Sequence, residues 1–132
     1  MKRHKKNGGG VQGTAEGPVL VGMARFRQQQ NTEERHKGWI WGVYLAPEFR
    51  GRGFGRRLLL ARVDGASGLP GLDTILLNVA TSQLPARALY LRLGFHPFGV
   101  EPRALSLDGR YIDEEHMVLE LWRKRGAGRE RS

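Results

Sequence analysis

Apolar and polar positions along the chain fall into blocks that predict strands and helices in alternation. The strand candidates are short runs rich in β-branched and aromatic residues, which suit a pleated, half-buried surface. They lie at residues 19–27, 39–45, 74–80, 95–100 and 115–122. The second of these, WIWGVYL, is almost continuously apolar, which predicts a strand covered on both faces. The last two strands are predicted to pair antiparallel across residues 103–113.

Two further segments have helical periodicity. The first covers residues 55–66 and is stopped by a cluster of glycine and proline, and the second follows Pro85 and is capped by Gly94. Their apolar stripes are Leu59, Val63 and Ala66 in the first helix, and Ala86, Leu89 and Leu93 in the second. The resulting order, β-β-α-β-α-β-β, predicts an α/β domain with a mixed central sheet.

The turn between the second strand and the first helix carries the strongest chemical signal. Its sequence, RGRGFGR at residues 50–56, is rich in glycine and arginine. Glycines let the backbone bend and approach a ligand closely. The start of a helix adds unpaired N–H groups and the positive end of the helix dipole. Because four arginines also lie here (Arg50, Arg52, Arg56 and Arg57), the segment is predicted to hold a diphosphate.

Composition narrows the class of protein. The 132 residues suit one domain with one core. The absence of cysteine excludes disulfides, thiolate nucleophiles and a cysteinyl-acyl intermediate. No apolar run reaches the length of a membrane span and the basic start lacks the apolar stretch of a signal peptide, so we expect a cytoplasmic protein. No spacing of candidate ligands indicates a metal site.

The formal net charge of +9 belongs largely to the two ends of the chain. Residues 1–10 carry four positive charges, and residues 123–132 carry five positive charges and one negative charge. Charged, glycine-rich ends are typical of solvated tails. We therefore predict disordered basic tails at residues 1–17 and 123–132 around a single domain at residues 18–122. A weaker alternative is a nucleic-acid-associated protein that acts through these tails.

Two motifs, in the right order and at the right distance, resemble those of the GCN5-related N-acetyltransferases (GNAT). The fixed positions of that family's acetyl-CoA-binding motif are filled by Arg50, Gly53 and Gly55. The family's next motif is matched at Ala86, Leu89, Tyr90, Gly94 and Phe95. Residues 99–103 and 113–116 are similar to the closing hairpin of one bacterial branch, and the resemblance as a whole covers about residues 19–121.

The resemblance implies that acetyl-CoA is the co-substrate. Backbone N–H groups of the glycine turn would wrap its pyrophosphate, with help from the side chains of Arg52 and Arg56. Backbone groups of Val43 and Leu45 would hydrogen-bond the pantetheine arm like an added strand, and a bulge at Gly42 would help to aim them. The implied cofactor-binding residues are Val43, Leu45, Arg50, Gly51, Arg52, Gly53, Phe54, Gly55, Arg56 and Gln83.

By the same resemblance, Tyr90 is the general acid that returns a proton to the departing coenzyme A thiolate. The alternative is that Tyr90 is an amphipathic core residue at the edge of its helix's buried face. Gln83 stands where the second motif usually has Asn, so its helix-capping and cofactor contacts are expected to be weaker. A strand N–H near Val43 would polarise the thioester carbonyl.

The general base has no single candidate. The segment at residues 39–45 holds no carboxylate or imidazole, although many members of the family withdraw the amine proton through waters and backbone carbonyls. Two groups of titratable side chains are considered, each with the alternative that it is only solvated. They are Glu33, Glu34 and His36 in a loop, and Asp113, Glu114, Glu115 and His116 near the last strand.

Members of the family usually open with a strand and two helices, whereas here 18 residues precede the first predicted strand. The chain is therefore either a short form or a truncated one, and we expect an acceptor pocket that is incomplete or built by a second chain, with a homodimer favoured. The predicted activity is acetyl transfer to a primary amine of a small molecule or protein by direct attack in a ternary complex. The alternative is a module that binds acetyl-CoA without turnover.

Overall fold

The computed structural model describes residues 9–16 and 19–125 of the chain. These residues belong to two units, residues 1–73 and residues 74–132. None of the helices in the described ranges combines the length and the apolar character that a membrane crossing requires.

The first unit is an antiparallel meander of three strands followed by a helix. Its elements are β1 (Gly9–Glu16), β2 (Val19–Gln28), β3 (Lys37–Leu45), a 3₁₀ turn (Pro47–Phe49) and α1 (Phe54–Ser67). β1 pairs with β2 from Gly9 opposite Arg27 to Glu16 opposite Val19. β1 was not among the strands predicted from the sequence.

The prediction of a disordered tail over residues 1–17 is therefore wrong for residues 9–16. A glycine-rich strand lacks the alternating apolar side chains that signal a strand, and the backbone pairing with β2 defines it instead. The remaining tail residues, 1–8, 17 and 126–132, lie outside the described residues, and α3 (Leu121–Arg125) takes the first three of the C-terminal ten.

α1 and β2 supply the core of the first unit. The predicted stripe of α1 is confirmed, because Leu59, Val63 and Ala66 are all buried, and Leu58 joins them. The helix begins one residue before and ends one residue after the predicted bounds, with Gly68 as its C-cap residue. The strands contribute buried side chains at alternate positions: Ala24 and Phe26 of β2, and Ile40 of β3.

The C-terminal half of β3 is more exposed than predicted. We expected a strand covered on both faces, but Trp41, Val43 and Tyr44 are 45%, 39% and 44% exposed. The covered-strand prediction is therefore wrong beyond Ile40. A continuous apolar run does not distinguish a strand with two covered faces from one whose outer aromatic side chains remain at the surface.

The second unit contains a three-stranded antiparallel sheet with strand order β4-β6-β5. Its elements are β4 (Thr74–Ala80), α2 (Leu84–Arg92), β5 (His96–Leu107), β6 (Arg110–Glu120) and α3. β4 is buried except near Asn78, which is exposed as its polar character suggests. Pro85 is the second residue of α2, one position later than predicted.

The closing hairpin is longer than predicted. Residues 103–113 were expected to connect two strands, but β5 runs to Leu107 and β6 starts at Arg110. The turn residues Asp108 and Gly109 both have positive φ, 49° and 77°, as the tight turns that match the twist of a hairpin require. The predicted end of the last strand is also wrong, because Trp122 lies in α3.

A bulge in β5 explains why the pattern was difficult to recognise. Glu101 lies opposite Glu114 and Leu105 opposite Ile112, so β5 has two more residues than β6 between these pairs. Arg103 has φ of 54° within this bulge. Its N–H donates to a carboxylate oxygen of Asp113 at 2.9 Å. The extra residues break the alternation on which a strand prediction depends.

The predicted cap of α2 is confirmed. Gly94 has φ of 105°, its N–H donates to the Leu91 carbonyl, and the Phe95 N–H donates to the Tyr90 carbonyl, both at 3.1 Å. This pair of hydrogen bonds is the Schellman arrangement that satisfies the last carbonyls of a helix. It also sets the direction in which the chain enters β5.

We expect Gly38→Ala to destabilise the protein. An added Cβ would overlap the ring of Phe26, which is only 1% exposed and has no room to move in the core. Overpacking of this kind costs about 1–3 kcal/mol, which urea unfolding would measure as a lower free energy of unfolding. Gly68→Ala is the matched control, because φ there is −88° and the added Cβ would meet nothing closer than 3.8 Å. Equal unfolding midpoints for the two variants would contradict this packing.

Candidate functional site

The chain reverses between β3 and α1 through two glycines in the left-handed region. φ is 76° at Gly51 and 82° at Gly53, and side chains with a Cβ rarely adopt such values. An added Cβ at either position would meet no atom within 4 Å. The backbone conformation, and not crowding, therefore requires glycine here, and the turn is open to a ligand that approaches its backbone.

α1 begins without a side-chain cap. Gly53 is its N-cap residue and has no side chain that could accept from the first N–H groups, and the first turn holds no acidic residue. The Arg57 N–H donates to the Gly53 carbonyl at 3.2 Å. The N–H groups of the three residues between them have no partner in the helix ladder. Together with the positive end of the helix dipole, these donors form a site that favours an anion.

Two arginines of the turn bind the chain's own carbonyl groups. Arg50 Nε donates to the Leu45 carbonyl at 2.9 Å, and Arg52 Nη1 donates to the Glu48 carbonyl at 3.0 Å. The first bond joins the turn to the end of β3. Arg50, which was predicted from the motif as a cofactor-binding residue, therefore also fixes the shape of the turn.

Aromatic rings contact two arginines of this segment, Arg52 and Arg57. The Arg52 guanidinium lies 5.3 Å from the ring centroids of both Phe49 and Phe54, and these rings meet edge to face. The Arg57 guanidinium lies 4.5 Å from the Phe54 centroid, so Arg57 has a ring contact beyond its exposure to water. Phe49 was not among the predicted site residues, although its spacing of five residues from Phe54 within the motif was a usable signal.

The positive charge of the turn is not neutralised within the described part of the chain. Among the side chains that the structure describes, those of residues 22–123, none places a carboxylate oxygen within 4.0 Å of the four arginines of the turn. Arg56 is exposed and forms no hydrogen bond or ring contact with another described residue. The turn therefore offers charge and N–H donors to an anion from outside the chain.

The end of β3 contains the predicted bulge. Met23 pairs with Tyr44 and Arg25 pairs with Trp41, which leaves one extra residue in β3, and Gly42 has φ of 64°. The bulge expected at Gly42 is confirmed. Val43 lies within it and has no register partner in β2. Val43 therefore lies at the point where the regular β2–β3 ladder is interrupted.

Tyr90 is the one buried residue of α2 in the described structure, with 5% of its surface exposed. The prediction that it lies at the edge of the buried face is wrong, because Ala86 and Leu89 are only half-buried. Its ring meets Phe95 edge to face at 6.1 Å. Burial raises the pKa of the Tyr90 phenol. The phenol therefore carries its proton at neutral pH, which a general acid must do.

Gln83 is the N-cap residue of α2 but its side chain makes no capping hydrogen bond. The backbone alone holds the position, because the Gln83 N–H donates to Ala80 at 2.9 Å and the Gln83 carbonyl accepts from Arg87 at 3.0 Å. The predicted weakening of the cap is confirmed. The longer side chain of Gln, compared with Asn, does not reach back to the first N–H groups.

One of the candidate bases in the loop, Glu34, is engaged in local contacts. Gln29 donates to a carboxylate oxygen of Glu34 at 3.1 Å, and Asn31 accepts from the Glu34 N–H at 2.9 Å. The Gln29 hydrogen bond, followed by the charge of Lys37, lowers the pKa of Glu34. A carboxylate with a lowered pKa is a weaker base. Glu34 is therefore poorly suited to accept the amine proton.

Three of the four candidates near the hairpin also have partners. Asp113 accepts from the Arg103 N–H, as described above, and Glu115 forms an ion pair with Arg87 at 2.5 Å that raises the pKa of Arg87. His116 Nε2 lies 3.4 Å from Glu101. Glu114 is half-buried and has no hydrogen bond or ion pair with another described residue.

The predicted site residues divide between the two units. Val43, Leu45 and the turn at residues 50–56 are consecutive parts of the first unit, where the structure brings them together. Gln83 and Tyr90 lie on α2 of the second unit. Within the described ranges, no group of three or more His, Asp or Glu side chains is arranged to hold a metal ion.

Known proteins match this chain along most of its length. Residues 2–95 match the family model for the acetyltransferase (GNAT) family, a stretch that includes parts of both units. Spermidine N(1)-acetyltransferase of Vibrio cholerae is 31% identical over 84 residues, which are 64% of this chain and 49% of the relative. N-alpha-acetyltransferase RimI of Mycobacterium tuberculosis is 32% identical over 97 residues, 74% of this chain and 58% of the relative. The chain thus spans about half the length of these curated relatives.

A solved structure agrees with the sequence relatives. The structure of yncA from Salmonella typhimurium with its cofactor acetyl-CoA is similar over 86% of this chain and 65% of that one. The TM-score is 0.77 at 27% identity. The likeness confirms the predicted α/β class with a mixed sheet.

The raised pKa of Tyr90 predicts a pH dependence of stability. The folded protein retains the phenol proton at pH values where the unfolded chain, with a tyrosine pKa of about 10, has begun to lose it. This contribution to stability is complete below a pH of about 10 and is lost as the pH rises through the folded pKa. We expect the free energy of unfolding to fall more steeply above pH ~10 for the native protein than for Tyr90→Phe. If urea unfolding gave parallel curves of free energy against pH for the two proteins, the burial of the Tyr90 phenol would be contradicted.

Proposed function

The chain belongs to the acetyltransferase (GNAT) family, and from this premise we propose that it transfers the acetyl group of acetyl-CoA to a primary amine. The amine attacks directly in a ternary complex, because a chain without cysteine has no thiol to carry the acyl group. The observation that carries the proposal is the uncapped start of α1 beside four arginines that have no described carboxylate partner.

The residues of the turn fit the pyrophosphate of coenzyme A. Gly51 and Gly53 leave open space where a Cβ would stand, and the first N–H groups of α1 lack partners in the helix ladder. Arg52 and Arg56 add positive charge, whose sign is opposite to that of the pyrophosphate. The proposed cofactor-binding residues are Val43, Leu45, Arg50, Gly51, Arg52, Gly53, Phe54, Gly55, Arg56 and Gln83.

Acetyl-CoA supplies an activated acyl group, a thioester whose carbonyl carbon accepts the amine. Val43 supports this chemistry because it lies in the bulge at Gly42, where the regular β2–β3 register is interrupted. A backbone N–H that is fixed before the reaction stabilises the negative charge that develops on a carbonyl oxygen. We assign this role to the Val43 region, and the pantetheine contacts to the backbone of Val43 and Leu45.

Tyr90 is proposed as the general acid. Its buried phenol keeps a proton at neutral pH, and its hydroxyl has no hydrogen-bond partner among the described residues. The hydroxyl is therefore available to donate a proton to a departing thiolate. Tyrosine also packs the core of the second unit through Phe95, so a conservative replacement is needed to separate the two roles.

A binding module that holds acetyl-CoA without turnover is the second candidate function. Two observations favour it. Asp113 and Glu115 already bind Arg103 and Arg87, and β3 contains no carboxylate or imidazole that could act as the base. In the active enzyme, waters and backbone carbonyls would have to remove the amine proton instead. The two candidates predict the same cofactor affinity and differ in turnover.

The acceptor is proposed as an amine of a small molecule or of a protein. The relatives named above are a spermidine acetyltransferase and an N-alpha-acetyltransferase, so both classes occur at a similar level of identity. Homodimer formation and a cytoplasmic location stay predictions from the sequence.

We expect the double variant Arg52→Glu, Arg56→Glu to bind acetyl-CoA at least tenfold more weakly than the native protein in calorimetric titration. Each lost charge-assisted hydrogen bond removes about 1.5–3 kcal/mol, roughly a factor of ten or more in Kd. The matched control is Arg92→Glu, Arg110→Glu, which makes the same change of net charge at two exposed positions of the second unit. Equal affinities for the two double variants would contradict a pyrophosphate site at the turn.

We expect Tyr90→Phe to slow turnover by roughly 10²–10⁴-fold, the usual contribution of a general acid, with little change in acetyl-CoA affinity. Release of the coenzyme A thiol, measured with a panel of polyamines and peptides, gives the rate. Leu89→Met is the control for a packing change on the same helix. No thiol release by the native protein with any amine, together with normal acetyl-CoA binding, would support the binding module over the enzyme.

A further inference from the structure

The β2–β3 pair has one buried face and one exposed face. Ala24, Phe26 and Ile40 point to the core beside α1 and are 0–2% exposed. Because strand side chains alternate, the residues between them lie on the opposite face. Arg25 is exposed on that face, and Trp41 of β3 lies directly across from it.

Cross-strand pairing arranges this face in rows. Arg27 lies opposite Trp39 and Arg25 lies opposite Trp41. Both arginines are exposed, Trp41 is 45% exposed and Trp39 is partly exposed. We call these four residues the Arg–Trp face. Tyr44, 44% exposed, continues the aromatic row beyond the bulge.

The charge of the Arg–Trp face is not neutralised by described residues. Arg25 and Arg27 form no ion pair or ring contact with the side chains of residues 22–123, which are those that the structure describes. The Arg25 side chain lies along Gly42, where its Cδ would be 3.4 Å from an added Cβ. The Arg25 side chain thus lies beside β3, and neither arginine has an ion-pair partner among residues 22–123 that would compete with an anion.

The spacing of the two tryptophans suits stacked bases. Positions two apart on a strand are separated by about 6.8 Å. That is twice the roughly 3.4 Å step between stacked planes, so one base fits between the two rings and further bases can continue the stack on their outer faces. The arginines stand across the strand at about 5 Å between Cβ atoms, within reach of a backbone that follows the bases.

We propose that the Arg–Trp face binds single-stranded nucleic acid, with bases stacked on Trp39 and Trp41 and phosphates held by Arg25 and Arg27. A row of aromatic rings beside unpaired arginines is the arrangement that sequence-tolerant single-strand binding uses. A second copy of this chain fits less well, because the contact would bring four arginines together. An acidic peptide would satisfy the charges but would leave the planar row without a matching planar partner.

Fluorescence anisotropy with labelled decamers tests the proposal on the full-length chain. The probes are oligodeoxythymidine, oligouridine, a ten-base-pair DNA duplex and a glutamate decamer. We expect both single strands to bind more tightly than the duplex. Trp41→Leu should weaken single-strand binding at least fivefold, at the lower end of the stacking contribution of one base. Arg25→Gln with Arg27→Gln should reduce the slope of log K against log salt by about 1.4.

Matched controls use residues outside the face. Phe98→Leu removes an exposed aromatic ring from β5, and Arg92→Gln with Arg110→Gln removes two exposed charges. All variants keep the basic ends, and their urea midpoints show whether they are folded. Absence of binding at about 50 mM salt, equal losses in the controls, tighter duplex binding, or binding of the glutamate decamer as tight as that of the single strands would each overturn the proposal. Acetyl-CoA affinity, measured separately, keeps this result independent of the proposed enzyme function.

Discussion

The backbone conformation of Gly53 is the constraint on which the rest of the turn depends. With φ of 82° it ends the turn and starts α1, so that Leu58 and Leu59 enter the core while the first N–H groups of the helix face outward. A residue with a Cβ would adopt this conformation only at a cost of about 1–2 kcal/mol. Core packing and the outward-facing N–H donors are therefore two consequences of one backbone angle, and a change at this position would disturb both.

The arginines of the turn differ in how they contact the rest of the chain, and the proposed function gives them different tasks. Arg50 and Arg52 bind carbonyl groups of their own chain, and the rings of Phe49 and Phe54 hold Arg52 in place. The turn therefore has its shape before any anion arrives. Donors that are already oriented stabilise a charge without the cost of rearrangement. Arg56, which has no such contact among the described residues, is the side chain best able to adjust to the ligand.

The sequence predicted the elements whose side chains carry a strong local pattern. The stripe of α1, the bulge at Gly42 and the glycine cap at Gly94 were confirmed, because each depends on residue spacing or on the special backbone of glycine. The pattern failed where backbone pairing alone makes the strand, as in β1, and where a bulge breaks the alternation, as at Arg103. Exposure was also unpredictable, because an apolar side chain such as Trp41 has the same pattern whether or not its face is covered. The roles of Tyr90 and the turn rest on the motif resemblance, and pattern alone would have left Tyr90 as a core residue.

The closing hairpin shows why a general base is harder to assign than a general acid. In the proposed function Tyr90 is both a packing residue and a proton donor, and burial is compatible with both roles because it raises the pKa of the phenol. For a carboxylate base the two roles conflict, because the contacts that order the side chain also occupy its oxygens. Asp113 holds the bulge at Arg103 and Glu115 binds Arg87, whereas Glu114 between them has no such bond in the described structure. In this hairpin, a carboxylate can accept a proton only where its oxygens are not already engaged in contacts that hold the fold.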